Sequence, residues 1–443
     1  MVSQQLKRVL TARSLAILTV GTVIGSGIFL VPSAVLRCSG GSVGLATGVW
    51  IVGGVLSFLG ALTYAELGAM NPGAGGLYLY IRDAFGRATA FSYGWTLFLV
   101  IGSGTVAALS VASATYLAGW IPMSPRTQGV TAVGLAAFVT VINVFGTARG
   151  AAIVNVGTVF KLAAIAFLVV ALPILGQGLT TTPPSAAPVA VPAATLGSAG
   201  LALVSVLWAY EGWQYLTFMA GETIEPQKNF PTGLAIGTFA LMAIYVAAAT
   251  AYVAGIGTTA VMGSTRVAAD AAGTVLGASW GKLITIPIII SMLTAAQANA
   301  MMSARVYYAM AQDGVFFAPM GRLHERYGTP AVALISSAVM AAILAGSGTF
   351  EVLLGYVVFV GWIFYALGGL AVISLRRRQP NAPRPYRVPG YPWTPIVFAL
   401  SGLAIVINTV VQDPKRGVIG LGATALAIPA YYLWQRMKAS DER

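Results

Sequence analysis

The stretch 21-GTVIGSGIF-29 lies in the middle of an apolar run over residues 14–36. Such a run predicts a membrane-spanning helix, because about 20 mostly apolar residues are needed to cross a bilayer. Gly25, Ser26 and Gly27 interrupt the run, although a glycine inside a helix costs roughly 1 kcal/mol relative to alanine. Hydrocarbon contains no water that could satisfy an unwound backbone. A break at this depth therefore needs a functional or a packing reason.

The composition of the whole chain agrees with a membrane location. Of the 443 residues, 57% are hydrophobic and only 8% are charged, whereas soluble domains carry roughly 25% charged residues. We therefore predict an all-α integral membrane protein with twelve transmembrane helices. The candidate spans lie near residues 14–36, 44–68, 89–118, 128–145, 151–175, 197–221, 232–256, 282–311, 329–346, 351–374, 393–411 and 417–435.

Lysine and arginine are distributed unevenly between the predicted loops, and this asymmetry sets the orientation of membrane proteins. One side has Lys7, Arg8, Arg13, Arg82, Arg87, Arg149, Lys228, Arg322, Arg326, Arg376, Arg377, Arg378, Arg384, Arg387, Arg436, Lys438 and Arg443; the other has only Arg37, Arg126, Arg266, Lys282, Lys415 and Arg416. We therefore predict a multi-pass protein of the inner or plasma membrane with both termini cytoplasmic. This placement accounts for the net charge of +13 without a nucleic-acid partner. The arginines at 376–387 are interpreted as a solvated topogenic loop, with anionic lipid binding as the alternative.

A single cysteine and a single histidine exclude several kinds of site. Cys38 and His324 both lie in predicted loops, so neither a thiolate metal cluster nor histidine-based catalysis is expected. The chain also has no G-x-x-x-x-G-K-[ST] phosphate loop. We expect no metal and no cofactor. An intramembrane enzyme, the rival class of function, would need a nucleophile with a base or a metal cluster.

A second interruption lies five predicted spans further on, in 207-LWAYEGWQYL-216. Secondary transporters often consist of two inverted halves that bind substrate where one helix of each half is broken. At such breaks, free N–H groups attract an anion and free carbonyls attract a cation, so a zwitterionic amino acid would fit both. The alternative is that the glycines only allow close helix packing. Glu211 favours a binding site, because an ionisable group deep in a span usually faces a cavity.

Seven segments together resemble one family. They are GTVIGSGIF at 21–29, YAELG at 64–68, PGAGGLYLY at 72–80, WAYEGWQYLTF at 208–218, GETIEPQKNFP at 221–231, SARVYYAMAQDG at 303–314 and YRVPGYPWTP at 386–395. In this order they resemble the amino acid–polyamine–organocation superfamily, and within it the L-type amino acid transporters and bacterial serine/threonine exchangers. The resemblance implies five-plus-five inverted repeats followed by two further helices. The repeats would occupy 1–175 (helices 1–5) and 197–378 (helices 6–10), with an external linker at 176–196 and helices 11–12 and a C-terminal tail at 379–443.

The resemblance also implies where substrate binds. Backbone N–H groups at Gly25, Ser26 and Gly27 would hold the substrate carboxylate. Carbonyls near Ile24, Trp208 and Ala209 would receive its ammonium, and Trp208 would close over the substrate from outside. Tyr93 and Trp95 are candidates for the pocket wall, although core packing is the favoured interpretation of both. L-type relatives commonly have Asn at the position of Gln297, so the side-chain preference is open.

The resemblance also implies a role for Lys161. Sodium-independent members of the family have a lysine at this position, whose charge replaces a sodium ion bridging spans one, five and eight. We therefore expect Lys161 to contact carbonyls near the first break.

Animal relatives attach an accessory subunit through a cysteine between spans three and four, and the matching loop 119-GWIPMSPRT-127 has none. No disulfide-linked partner is expected.

The function predicted from the sequence is amino acid transport by alternating access. A sodium-independent exchanger of neutral L-amino acids is the leading hypothesis, and a proton-coupled symporter is the alternative. Glu211 could select cationic side chains, hydrogen-bond the unwound segment or carry a proton, and the sequence leaves these roles open.

Overall fold

The computed structural model describes residues 10–71, 75–178 and 193–441, and for residues 147–152, 219, 221, 222 and 438–441 it describes the backbone only. Most of the predicted linker, 179–192, lies outside the described residues. The α-helices are α1 (Ala12–Val23), α2 (Gly27–Cys38), α3 (Val43–Met70), α4 (Leu77–Phe85), α5 (Arg87–Thr96), α6 (Gly102–Leu117), α7 (Pro125–Val144), α8 (Thr147–Leu175), α9 (Leu196–Ala209), α10 (Pro226–Gly263), α11 (Val267–Leu276), α12 (Ala278–Leu283), α13 (Thr285–Gln312), α14 (Ala331–Ser347), α15 (Phe350–Arg378), α16 (Trp393–Gln412), α17 (Pro414–Ala425) and α18 (Ala427–Asp441).

Among the described residues the regular secondary structure is helical, apart from one isolated bridge between Leu10 and Thr223, which confirms the all-α prediction. Nine of their helical segments are long and apolar enough to cross a membrane. A tenth span is the bent pair of α1 and α2, whose axes differ by 58°. The chain is thus a multi-pass membrane protein.

Two of the twelve predicted runs form shorter helices. The run near 197–221 folds as α9, of 14 residues, and a 3₁₀ helix over Trp213–Glu222. The run near 329–346 folds as α14, of 17 residues. The count of twelve spans stays a prediction. Cys38 is the last residue of α2 rather than part of a loop.

The broken helices lie inside the bundle. α1 packs against α10, which in turn packs against α3, while α2 packs against α9. On the other side, α13 packs against α6 and α8. Outward-facing positions remain apolar, and Val159, Ile174 and Val418 are 68–73% exposed. Monomeric soluble proteins rarely expose such apolar surface, so these faces suit contact with lipid.

Candidate functional site

The first predicted break is present. Helix α1 ends at Val23, and α2 begins at Gly27. The N–H groups of Gly25, Ser26 and Gly27 donate no hydrogen bond to any described residue. A helix N-terminus carries partial positive charge and unpaired N–H groups. This end of α2 can therefore bind an anion such as a carboxylate.

The carbonyl groups of the same break are held by two other helices. The buried Lys161 of α8 donates from Nζ to the carbonyl oxygens of Gly21 and Ile24, at 2.8 and 2.6 Å. The single Ser291 hydroxyl proton, from α13, is shared between the carbonyls of Ile24 and Gly25, both at 3.2 Å. A cation at a helix C-terminus is stabilised by the helix dipole. The ammonium group thus lies where the sequence analysis expected it, at the end of α1.

The second break lies beside the first. Helix α9 ends at Ala209, and Gly212 has a φ of +127°, a conformation that favours glycine. The Glu211 carboxylate accepts hydrogen bonds from the Tyr365 hydroxyl and from the Gln214 side chain. Gln214 Nε2 also donates to the Tyr365 hydroxyl, at 2.9 Å. This network ties the break to α15, as the structural interpretation of Glu211 requires.

A small cavity of about 30 Å³ lies between the two breaks. It has room for about two water molecules. Its lining is Thr22, Val23, Gly25, Ser26, Gly27, Thr105, Leu109, Trp208, Glu211, Gly212, Tyr215, Ala295, Asn299 and Met302. Two unwound segments, a carboxylate and an indole therefore share one small buried space.

Trp208 spans this cavity from one break to the other. Its Nε1 donates to the Ser26 hydroxyl at 3.1 Å, and its ring packs edge-on against Phe350 with centroids 5.8 Å apart. Only 4% of the residue is exposed. Rotation of this one side chain would break its hydrogen bond to Ser26 while the backbones of α9 and α2 stay packed against each other.

Close packing also explains part of the glycine pattern. A Cβ atom built on Gly27 would lie 2.5 Å from the Cβ of Ala209, which is a severe overlap. A Cβ on Gly25 would meet Leu109 Cδ2 at 3.1 Å and Ala295 Cβ at 3.3 Å, which is tight. Gly27 therefore allows α2 to approach the second break, in addition to lining the cavity.

The sequence is similar to those of known proteins along most of its length. Residues 10–427 match the family described as Amino acid permease. The chain belongs to the amino acid permease family. It is 30% identical to the serine/threonine exchanger SteT of Bacillus subtilis over 429 residues, covering 96% of each chain. It is 31% identical to the human cystine/glutamate transporter over 97% of this chain and 86% of that protein. It is 29% identical to the mouse b(0,+)-type amino acid transporter 1, over 89% and 81% of the two chains. The permease is thus an amino acid transporter of the amino acid–polyamine–organocation superfamily, and not an enzyme.

Three predicted site residues do not line the cavity of the permease. The Ile24 carbonyl accepts from both Lys161 and Ser291, and the Ala209 carbonyl accepts from the Tyr245 hydroxyl at 2.9 Å. Gln297 is buried elsewhere on α13. Because a carbonyl oxygen has two lone pairs, Ile24 has none left for a substrate ammonium, whereas Ala209 keeps one.

Sequence reasoning missed Asn299 and Tyr215, which do line the cavity. Asn299 lies two residues beyond Gln297 on α13, so the two side chains project from different faces of the helix. Ala295, four residues before Asn299, also faces the cavity, but the sequence alone does not show which face of α13 does so. Tyr93 packs against Phe364, with ring centroids 5.4 Å apart, and has the core role that was favoured for it.

The arginines at 376–387 are not simply solvated. The fully buried Glu66 of α3 accepts two hydrogen bonds from Arg376, at 2.8 and 2.7 Å, and one from the Val388 N–H, at 2.7 Å. Arg384 Nε lies 3.6 Å from the same carboxylate, and the Arg376 guanidinium lies over the ring of Tyr391. For Arg376 and Arg384 the interpretation as a solvated loop is therefore wrong. They hold the segment after α15 against α3.

Proposed function

We propose that the permease is a sodium-independent exchanger of neutral L-amino acids that works by alternating access. The observation that carries this proposal is the pair of breaks around one cavity, with free N–H groups on α2 and the Lys161 ammonium on the carbonyl side of α1. The relatives named above transport amino acids or exchange them, which supports the same class of activity.

In this proposal the substrate carboxylate binds the N–H groups of Gly25, Ser26 and Gly27. The substrate ammonium binds on the side of the second break, where the Ala209 carbonyl keeps a lone pair and the Glu211 carboxylate lines the cavity. A substrate enters when Trp208 turns away from Ser26. The substrate carboxylate would then lie within reach of both the Ser26 hydroxyl and the N-terminus of α2.

Sodium independence follows from Lys161. Its ammonium occupies the carbonyls that end α1, where a bound cation would otherwise join α1, α8 and α13. A protein-borne amine stays in the protein through the whole cycle and needs no sodium gradient. Sodium independence fits both exchange and proton coupling, and the exchange activity named for the Bacillus subtilis relative favours exchange.

The finer architecture is part of the same proposal. We propose twelve spans, in two inverted repeats of five over 1–175 and 197–378 with two further helices after 379. The breaks support this, because they fall in the first span of each proposed half. The distribution of lysine and arginine supports cytoplasmic termini in an inner or plasma membrane.

The test is uptake into proteoliposomes of each labelled amino acid. Exchange predicts rapid uptake only when unlabelled amino acid is inside, with no effect of sodium or of a pH gradient. Uptake without internal substrate that follows a pH gradient would instead identify the proton-coupled symporter.

Glu211 decides between the remaining alternatives. A carboxylate facing the cavity would attract a cationic substrate by about 4 kcal/mol at 4 Å and an effective dielectric of 20, before the cost of desolvation. Its bonds to Tyr365 and Gln214 favour a structural role. The roles are separated by measuring how strongly arginine, lysine, leucine, alanine and serine compete for uptake in the parent and in Glu211→Gln at several pH values. Loss of arginine and lysine binding alone indicates substrate pairing, equal loss for all five indicates structure, and a pH dependence that vanishes in the variant indicates proton coupling.

A further inference from the structure

Two polar side chains on the cavity wall have unpaired groups. Asn299 is 4% exposed and Tyr215 is 2% exposed, and both line the cavity between the breaks. The carboxamide of Asn299 and the hydroxyl of Tyr215 make no hydrogen bond to any other described residue, although the two groups are close enough to interact with each other. A buried polar group left unpaired costs about 1–3 kcal/mol, and one contact between these side chains leaves most of their donors and acceptors without a partner.

The other polar side chains that line the cavity already have hydrogen-bond partners, which sets Asn299 and Tyr215 apart. The hydroxyls of Thr22 and Thr105 donate to carbonyls of their own helices, at 2.8 and 2.7 Å. The polar groups of Trp208 and Ser26 bond to each other, and Glu211 accepts two donors. The unpaired atoms thus come from α13 and the 3₁₀ helix, and not from α2, whose N–H groups suit the substrate backbone.

We propose that Asn299 and Tyr215 form the side-chain subsite of the permease, and that it selects neutral amino acids with a hydroxyl or carboxamide group: serine, threonine, asparagine and glutamine. This rests on the proposed function above. A carboxamide offers both donors and an acceptor, and a phenol offers one of each. Such a pair can satisfy a substrate group that itself both donates and accepts.

The proposal predicts a specific discrimination between isosteric substrates. Threonine and valine have nearly the same shape, but valine would leave the Asn299 and Tyr215 groups unpaired. A site that hydrogen-bonds a substrate hydroxyl rejects the analogue lacking it far more strongly than an apolar pocket discriminates by size. We expect threonine to compete for uptake at a concentration at least about tenfold lower than valine.

The experiment measures the ratio of valine to threonine inhibition constants in the parent, in Asn299→Leu and in Tyr215→Phe. The control is Tyr80→Phe, because Tyr80 also has a buried unpaired hydroxyl but does not line the cavity. We expect the ratio to fall toward one in Asn299→Leu and to decrease in Tyr215→Phe, with valine binding retained in both. Tyr80→Phe should keep the parental ratio. Retained valine binding shows that the variants are folded.

The shift of the thermal unfolding midpoint with threonine or valine measures binding independently of transport. The proposal would be overturned if threonine and valine competed equally and shifted the midpoint equally in the parent. It would also be overturned if the ratio of their inhibition constants stayed unchanged in both Asn299→Leu and Tyr215→Phe. Absence of stabilisation by either amino acid would overturn it too. Threonine-selective stabilisation without counterflow would instead refute the exchanger and leave the subsite standing.

Discussion

Replacing Lys161 with methionine removes the charge but keeps most of the side-chain volume. The parental ammonium is fully buried and donates two hydrogen bonds, to the carbonyls of Gly21 and Ile24. No carboxylate of a described residue lies within 4 Å of it to form an ion pair. The two carbonyls at the end of α1 are its hydrogen-bond partners in the described part of the chain.

The size of the effect follows from those two bonds. A hydrogen bond involving a charged group contributes about 1.5–3 kcal/mol, so losing both weakens the attachment of α1 to α8 by at most about 3–6 kcal/mol, because methionine also removes the cost of burying the charge. The Ile24 carbonyl keeps the Ser291 hydroxyl, which favours the lower figure. At about 1.4 kcal/mol per factor of ten, 3 kcal/mol reduces the population of this conformation about 100-fold relative to one in which α1 has left α8.

The assay is counterflow in two separate proteoliposome preparations, one with the parent and one with the variant, that contain equal amounts of folded protein. We expect Lys161→Met to slow exchange by at least about tenfold and Lys161→Ala to slow it further, because alanine also leaves a cavity.

The matched control is Lys282→Met, since Lys282 is exposed at the end of α12. Parental exchange rates in Lys161→Met, or strong sodium dependence in the parent, would refute the reasoning.

Three further predictions test the break, the buried ion pair and the topology. Gly25→Ala should weaken substrate binding about tenfold, because the new methyl group restricts the backbone whose N–H groups bind the carboxylate. The thermal midpoint should change little, because Leu109 and Ala295 need to shift by only a few tenths of an ångström; unchanged binding would assign the break to packing alone. Arg376→Met should lower the free energy of unfolding by about 3 kcal/mol, because it leaves the buried Glu66 carboxylate short of a partner; chemical denaturation in detergent measures this, and an unchanged midpoint would show that the pair adds nothing. In a cysteine-free background of intact cells, Ser124→Cys should react with an impermeant thiol reagent and Asn381→Cys should not, and the reverse pattern would contradict cytoplasmic termini.

The breaks could be predicted because their cause is local. Glycine and serine inside an apolar run weaken the helix wherever the rest of the chain packs, and α1 and α9 do end within three residues of the predicted positions. The contact of Lys161 with the α1 carbonyls came from the resemblance to a family. A lysine in a span identifies a functional candidate, but its sequence position does not name the carbonyls that it meets.

Long-range contacts and helix rotation could not be predicted in this way. Glu66 and Arg376 are 310 residues apart, and nothing in the YAELG segment indicates that its carboxylate pairs with arginines in the last turn of α15 and in the segment after it. Gln297 does not line the cavity, whereas Asn299, two residues further along the same helix, does. Both amides lie on α13, and the neighbouring helices decide which of them faces the cavity.

The two breaks satisfy their backbones differently, and this difference shapes the site. At the first break the protein supplies its own cation to the carbonyls and leaves the N–H groups of α2 unpaired. At the second break Tyr245 binds a carbonyl, while Tyr365 and Gln214 bind the carboxylate of Glu211. The site is therefore more completely prepared for an anion than for a cation. A substrate ammonium must share acceptors that already have donors, whereas a carboxylate gains partners that have none, so the carboxylate end of an amino acid should contribute more of the binding free energy.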